Sequence, residues 1–427
     1  MAEVEFVGVT RVQRGLWRPV LERVELTVRD GELLVLTGAS GSGKSALLRA
    51  LAGADPLTAG RVLIDGRDVT KASPDKRRVS MLAQGFALFP QLSVRENIAF
   101  PLTMRKTSAK TVAAKVADIA ERCGVAAHLS ARPDALDFDL RQRAMMARAL
   151  VGEPLAVCVD EPLAGTGVPM MMRERTPIAT LQREFGVTML YATCSSTDAL
   201  AIADRIAVLD RGVLQQVGTP AEVFDRPATA AVAGFVGQHP MNLIPAPYRD
   251  GYARIGGETA GLAVKLGDAQ AQALTGETVL IGLRPEDLTL AAAPGPAEPA
   301  PPSRPQQPLA TDPVPPPRPQ PESSPPASAA SASVPISISA STSASVSPES
   351  PPEPGALRAT AVFVKDSGRE YIVHARIQAP DGPLDPIDLV IRHTRGTPPL
   401  RGDDVLITAN PSVAHLFDAG TGRRLPD

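Results

Sequence analysis

Apolar positions along this chain follow two rhythms, and the changes between them mark out its elements. Val4 and Phe6, then Val7 and Val9, predict an opening strand with a change of phase at Gly8, a candidate bulge. Val24, Leu26 and Val28 alternate with polar residues and predict a second strand. The run from Glu32 to Thr37 is largely apolar and ends at Gly38, the pattern of a parallel strand covered on both faces. A helix is expected from Lys44 to Ala52, stopped near Gly53. Ala156–Val159 and Thr188–Ala192 repeat the buried-strand pattern, and Ile206–Leu209 followed by Asp210-Arg211-Gly212 predicts a hairpin. Between these strands, residues 90–150 carry helical periodicity, including the Ala-rich stretch from Lys110 to Arg122.

This alternation gives residues 1–236 as one α/β domain with a helical subdomain at about 90–150. Residues 237–292 and 356–427 read as β-rich, with short apolar runs such as Thr278–Ile281 and Tyr371–Val373 broken by Gly and Asp. Between them, residues 293–355 are mainly Pro, Ser and Ala, with too few large apolar side chains to offset the entropy of ordering. That stretch is therefore expected to be a disordered insertion within the β-rich domain.

Composition narrows the function classes. The 427 residues suffice for two or three domains, and a formal net charge of -2 argues against a nucleic-acid partner. No run approaches the roughly 18 apolar residues of a membrane-spanning helix, and the first residues lack a signal-peptide core. A cytosolic chain is the expectation, with any membrane role supplied by a partner. The three cysteines, Cys123, Cys158 and Cys194, are too scattered for a disulfide framework or a zinc site.

The chemistry begins at Gly38-Ala39-Ser40-Gly41-Ser42-Gly43-Lys44-Ser45, a G-x-x-x-x-G-K-[ST] phosphate loop between a predicted strand and a predicted helix. Its glycines let successive N–H groups curl around phosphates, and the following helix, which includes Ala46, adds its N-terminal field. Lys44 is placed to reach the terminal phosphates of a nucleoside triphosphate, and Ser45 to offer its hydroxyl to Mg²⁺. A chance match in a chain of this length is on the order of a few per cent. Downstream, Asp160 and Glu161 end a buried strand. Asp160 suits Mg²⁺ held through water, and Glu161 suits a general base for an attacking water.

With these residues in hand, the chain resembles an ATP-binding cassette ATPase of the maltose-type subfamily, which serves carbohydrate and glycerol-phosphate importers. The stretches that carry the resemblance are GASGSGKSALLRALAG at 38–53, QGFALFPQLSVRENIAFPL at 84–102, ARALVGEPLAVCVDEPL at 147–163 and GTPAEVFDRPATAAVAGFVG at 218–237. Gly282–Leu288 and His415–Asp418 with Thr421-Gly422 echo the extra C-terminal β-domain of that subfamily. The implied fold is an α/β P-loop ATPase domain with a helical subdomain, followed by an all-β, OB-like (TOBE-type) domain. The implied cofactors are ATP and Mg²⁺, with Gln84 contacting the metal and the water. The implied partners are transmembrane permease subunits, an indirectly linked periplasmic or extracellular solute-binding protein, and a second ATPase in a homodimer or heterodimer. The chain would sit on the cytoplasmic side of the membrane, held by its permeases. Phe86–Leu92 would lie near the permease groove, although Phe86, Leu88 and Phe89 fit a core equally well. Trp17, two positions after Gly15, fits either stacking on adenine or packing under the antiparallel strands.

The same resemblance exposes departures. The family's Leu-Ser-Gly-Gly-Gln signature aligns with Leu136-Asp137-Phe138-Asp139-Leu140, which brings two carboxylates and a bulky ring where a serine and glycines meet the γ-phosphate. Two unit charges about 4 Å apart repel by roughly 4 kcal/mol at an intermediate dielectric. The Ser-Ala-Leu-Asp loop reads Ala164-Gly165-Thr166-Gly167, so Gly167 replaces an aspartate, and Cys194 replaces the switch histidine. His128 lies upstream of the signature and is not placed to substitute. Pro177 falls inside an expected helix and should kink or shorten it. Two functions stay open on this reading: an importer ATPase with slowed hydrolysis, and a nucleotide-binding regulatory subunit that does not power transport. A role in DNA repair or translation is disfavoured by the single cassette and the absence of a basic tract.

Overall fold

In the computed structural model, the residues described are 2–13, 15, 18–82, 88–162, 177–255, 261–292, 356–368, 370–377, 387–394 and 397–426. The opening strand β1 (Val4–Arg11) pairs antiparallel with β2 (Leu21–Val28) and with β4 (Ala59–Ile64), which continues to β5 (Arg67–Asp68). Its register shifts between Phe6 and Val9 on the β2 side, where Gly8 takes a φ of 58°. The phase change read from Val7 and Val9 is therefore a bulge.

The second sheet is the scaffold of the molecule. Its order is β10-β9-β3-β8-β7-β6, formed by β3 (Leu33–Thr37), β6 (Val79–Leu82), β7 (Ala156–Asp160), β8 (Thr188–Thr193), β9 (Arg205–Asp210) and β10 (Val213–Gly218). Every residue of β3, β7 and β8 is buried, as expected for parallel strands covered on both faces. Alternate side chains serve different layers. Leu33 and Val35 pack with Val157, Val159, Met189 and Tyr191 on the side of the helical subdomain, whereas Leu34 and Leu36 pack with Cys158, Leu190 and the antiparallel sheet. The β9–β10 hairpin turns through Arg211 (φ 48°) and Gly212 (φ 84°), the two left-handed residues that suit the twist of a two-residue connection.

Helix α1 spans Lys44–Ala52, and Gly53 closes it in the left-handed region by donating its N–H to the Ala50 and Arg49 carbonyls. The short α2 (Pro74–Arg77) follows β5. The subdomain predicted from helical periodicity consists of α3 (Val94–Met104), α4 (Ala109–Arg122) and α5 (Phe138–Leu150). Ser93 and Glu96 form a capping box at the start of α3. Buried Asn97 holds the preceding segment, accepting from Phe89 N–H and donating to the Phe89, Leu92 and Ser93 carbonyls. Pro177 is the first described residue of the helix Pro177–Phe185, and the residues before it, on which the expected kink or shortening depends, lie outside the described residues.

The rest of the chain is all-β, in two curled antiparallel sheets of the OB-like kind. One has the order β13-β12-β11-β14-β20, from β11 (Asn242–Arg249), β12 (Tyr252–Ile255), β13 (Leu262–Lys265), β14 (Thr278–Leu283) and β20 (His415–Asp418). The other has the order β15-β19-β16-β17-β18, from β15 (Leu288–Ala292), β16 (Ala356–Asp366), β17 (Tyr371–Ile377), β18 (Ile387–His393) and β19 (Asp404–Ala409). The Pro/Ser/Ala stretch 293–355 lies outside the described residues. The strands on either side of it, β15 and β16, both pair with β19. The Asn242 side chain binds Leu283 O, Val390 O and Val390 N, tying the two sheets together.

The chain's end returns to the α/β part. Ala230 N–H donates to Gly422 O, Arg424 N–H donates to Ala228 O, and Phe417 packs against Ala230, Ala233 and Met241. Arg284 stacks its guanidinium on Phe224 at 3.5 Å and donates to the Phe224 and Val236 carbonyls. Asp418 braces the turn beside this seam. It accepts from Thr275 N–H and Oγ1 and from Thr421 N–H and Oγ1, bonds that keep its carboxyl far below the usual carboxylate range. A carboxyl depressed in the fold contributes stability above its unfolded value near 3.9, which is lost as pH falls below it. Asp418→Asn should destabilise the C-terminal part by about 1–3 kcal/mol at neutral pH. It should also flatten the loss of stability below roughly pH 4. Thermal melts across pH 2–7 measure both effects; an unchanged acid limb would show that Asp418 is not the group responsible.

Candidate nucleotide site

The site is set by where three neighbouring parallel strands end. β8 lies between β3 and β7, with Thr37 in register with Thr193 and Asp160 with Ala192. The segments leaving the carboxyl ends of these strands therefore emerge side by side: the phosphate loop, Cys194 and Glu161. Ligands in open α/β sheets bind at this edge, because the loops that follow the strands converge there.

Within the phosphate loop, two glycines are required by close approach as well as by φ. A Cβ on Gly38 (φ 145°) would lie 2.1 Å from Leu209 O, and one on Gly43 (φ 107°) would lie 2.8 Å from Val20 O. No other residue fits either place. The curl of the loop leads into α1, and its walls with Arg11, Gln13, Val20, Arg49, Asp55 and Glu161 enclose a cleft of about 510 Å³. Ser40 to Ala46 all line it. Lys44 is buried, and its ammonium donates to Gly38 O at 2.8 Å and Ala39 O at 3.0 Å.

Asp160 and Ser45 meet directly. Ser45 Oγ donates to Asp160 Oδ1 at 2.9 Å, and Asp160 is 5 % exposed. Burial pushes the Asp160 carboxyl up, with the Ser45 hydroxyl pulling it back down. A carboxylate and a hydroxyl oxygen so placed are hard ligands of the kind that hold Mg²⁺ beside phosphates, so the residues present fit that ion. The ion would supply charge neutralisation at phosphate oxygens when bound.

Glu161 and Cys194 complete the edge. Glu161 has a φ of 42°, unusual for a residue with a side chain, and its N–H donates to Ala192 O. Non-glycine residues in this region cost about 1 kcal/mol and gather at functional sites. The Cys194 thiol donates to Glu161 Oε1 at 2.8 Å and lies 3.3 Å from Lys44 Nζ, while Glu161 Oε1 is 4.0 Å from the same ammonium. Lys44, Glu161 and Cys194 thus form a triangle at the mouth of the phosphate loop.

Residues 137 and 139 fit differently from the sequence expectation. Asp137 is the N-cap of α5 and accepts from Leu140 N–H at 2.8 Å; Asp139 pairs with Arg143 at 2.6 Å. Each carboxylate thus has a hydrogen-bond or charge partner inside its own helix. Phe138 opens α5 and is half-buried. Gln84, Gly167 and Trp17 lie outside the described residues.

Sequence reasoning missed one component. Asp55 takes a two-pronged bond from Arg49 (2.7 and 2.9 Å) and a 2.7 Å pair from Arg11, and all three line the cleft. The Arg49 bond, chiefly, holds the Asp55 carboxyl below its usual range. Arg11 ends β1 and Asp55 follows α1, so no local pattern signals their meeting.

Residues 21–164 match the family model described as ABC transporter. The diacetylchitobiose uptake system ATP-binding protein MsiK of Streptomyces coelicolor is 31% identical over 428 residues, spanning 100% of both chains. The sn-glycerol-3-phosphate import ATP-binding protein UgpC of Cereibacter sphaeroides is 33% identical over 426 residues, again 100% of each. UgpC 3 of Rhizobium etli is 39% identical over 300 residues, 70% of this chain and 81% of its own. The chain belongs to the ATP-binding cassette transporter family. Within that family it falls among the ATP-binding subunits of carbohydrate and glycerol-phosphate importers.

Cys123 and Cys158 are buried and Cys194 is exposed. Burial, and then the Glu161 carboxylate, push the Cys194 thiol up. Because the thiolate is the nucleophile, alkylation of native protein by iodoacetamide should modify Cys194 alone. Its rate should climb about tenfold per pH unit through pH 8.5, the ordinary thiol value. Peptide mass spectrometry reads the site and the rate; a plateau near pH 7 would mean that Lys44 stabilises a thiolate instead.

Proposed function

We propose that this chain binds Mg²⁺-ATP in the cleft of residues 38–46 and couples it to uptake of a carbohydrate or glycerol phosphate through permease partners. The observation that carries this reading is the Ser45–Asp160 contact beside the phosphate loop, with Glu161 on the same wall. In this assignment Gly38, Ala39, Ser40, Gly41, Ser42, Gly43, Lys44, Ser45 and Ala46 hold the nucleotide. Ser45 and Asp160, with Gln84, hold the ion, and Glu161 takes the proton of the attacking water. The relatives named for diacetylchitobiose and sn-glycerol-3-phosphate import supply the substrate class.

Hydrolysis is slow in this reading. A thiol is a weak donor and carries no positive charge, so Cys194 stabilises a γ-phosphate less than an imidazole would. Binding depends on the phosphate loop and is intact. The site's second half comes from another ATPase subunit, whose segment equivalent to Leu136–Leu140 would close the cleft.

The permease contact is assigned to the start of the helical subdomain. Phe100 and Met104 are exposed on α3, at 38% and 68%, and Phe89 packs its ring at a tilt against Phe100 with ring centroids 4.8 Å apart. An apolar patch of this kind on a water-facing helix favours a protein partner. No helix among the described residues is long and apolar enough to cross a membrane, so attachment through such a contact fits the chain.

Purified full-length protein should bind ATP in the presence of Mg²⁺ and lose that binding on Lys44→Ala. Its turnover should be below roughly 0.1 per second, two orders under the median for enzymes. Glu161→Gln should abolish the residual rate while leaving ATP binding in place. Radiolabelled phosphate release measures the first and equilibrium dialysis the second. Turnover of several per second would refute slowed hydrolysis, and absent ATP binding would refute the whole assignment.

A further inference from the structure

We propose that Cys194 is a positioning residue for Glu161: its thiol tethers the Glu161 carboxylate at the wall of the nucleotide cleft when Lys44 turns to phosphate. This rests on the reading of Glu161 as the proton acceptor, and concerns what keeps that acceptor in place.

Among the described residues the Glu161 carboxylate has two neighbours of opposite or donating character, Cys194 Sγ at 2.8 Å and Lys44 Nζ at 4.0 Å. Lys44 is the group a phosphate loop gives to its ligand, so its hold on Glu161 is lost when phosphate arrives. The main chain of Glu161 is anchored by the bond to Ala192 O, but its long side chain is not. A free glutamate side chain samples many rotamers, so an untethered carboxylate spends most of its time elsewhere. Misplacing a reacting group by about 1 Å costs on the order of a hundredfold in rate.

Two nearby hydroxyls are engaged elsewhere. Thr193 Oγ1 accepts from Ser195 N–H and lies at the end of a buried strand. Ser195 Oγ accepts from Asp198 N–H and bonds Thr197 Oγ1, capping the helix Ser196–Ile202. Cys194 is the donor that reaches Glu161 across the gap from β8 to β7. Partial desolvation, and then the Glu161 carboxylate, push the thiol up, which preserves the hydrogen it donates. Unlike Cys123 and Cys158 it is exposed, so packing does not account for its place.

The test compares Cys194→Ala and Cys194→Ser in the full-length chain, with single-turnover hydrolysis at saturating Mg²⁺-ATP and equilibrium dialysis for affinity. Cys194→Ala should lower the single-turnover rate tenfold or more with Kd for ATP within twofold. Cys194→Ser, which keeps a donor, should stay within threefold of the unaltered rate. Without nucleotide, Glu161→Ala should speed alkylation of Cys194 at pH 8 at least threefold, since the carboxylate that suppresses the thiolate is gone. An unaltered rate in Cys194→Ala, an equal loss of affinity and rate, or unchanged alkylation in Glu161→Ala overturns the tether. If the unaltered chain binds ATP yet turns over no faster than Glu161→Gln, the assignment of Glu161 itself fails, and the tether with it.

Discussion

Everything at the site depends on three parallel strands ending at the same level. The hydrogen-bond register of β3 with β8 and of β8 with β7 fixes Thr37, Thr193 and Asp160 along one edge of the sheet. A parallel register cannot slip by one residue without turning every buried side chain to the other face, and here both faces are packed. The position of Cys194 between Lys44 and Glu161 therefore follows from sheet order and does not depend on any flexible loop choosing a path.

That edge gathers charge under conditions where charge is expensive. Lys44 and Asp160 are both buried, and their stabilisation comes from specific partners: two loop carbonyls for the ammonium, a serine hydroxyl for the carboxylate. Groups held this way are ready for a ligand that carries the complementary charges, because little reorganisation is needed when phosphate and a divalent cation replace the internal partners. The positive φ of Glu161 belongs to the same economy of position. A bond from its N–H to Ala192 O keeps the backbone in a region it would otherwise leave.

The remaining parts are fastened to this scaffold by few but buried connections. Asn97 ties the segment before α3 to the helical subdomain, and Arg284 and the returning residues 422–424 tie the β-rich part to the α/β part. Each works by satisfying backbone carbonyls or N–H groups that would be costly to leave unpaired away from water.

Much of this was legible in the residues themselves. Local rules suffice for β3, α1 and the β9–β10 hairpin: a continuous apolar run, a glycine-bounded helix, and Asp210-Arg211-Gly212 as a two-residue turn. The phosphate loop is local too, since its spacing is what curls the backbone, so residues 38–45 could be assigned without a structure. Asp160 and Glu161 were readable because they end a buried strand. What the sequence could not supply was distance between segments. The Cys194–Glu161 bond, the Arg11–Asp55–Arg49 cluster and the seam around Asp418 join residues from different elements, and no period or motif encodes such meetings. The carboxylates at 137 and 139 show the same limit: composition counts them as free charges, whereas helix α5 engages one as its cap and pairs the other with Arg143. The chain alone determined what the phosphate loop is. Tertiary structure decided what stands beside it, because strand order, not strand sequence, chooses the neighbours.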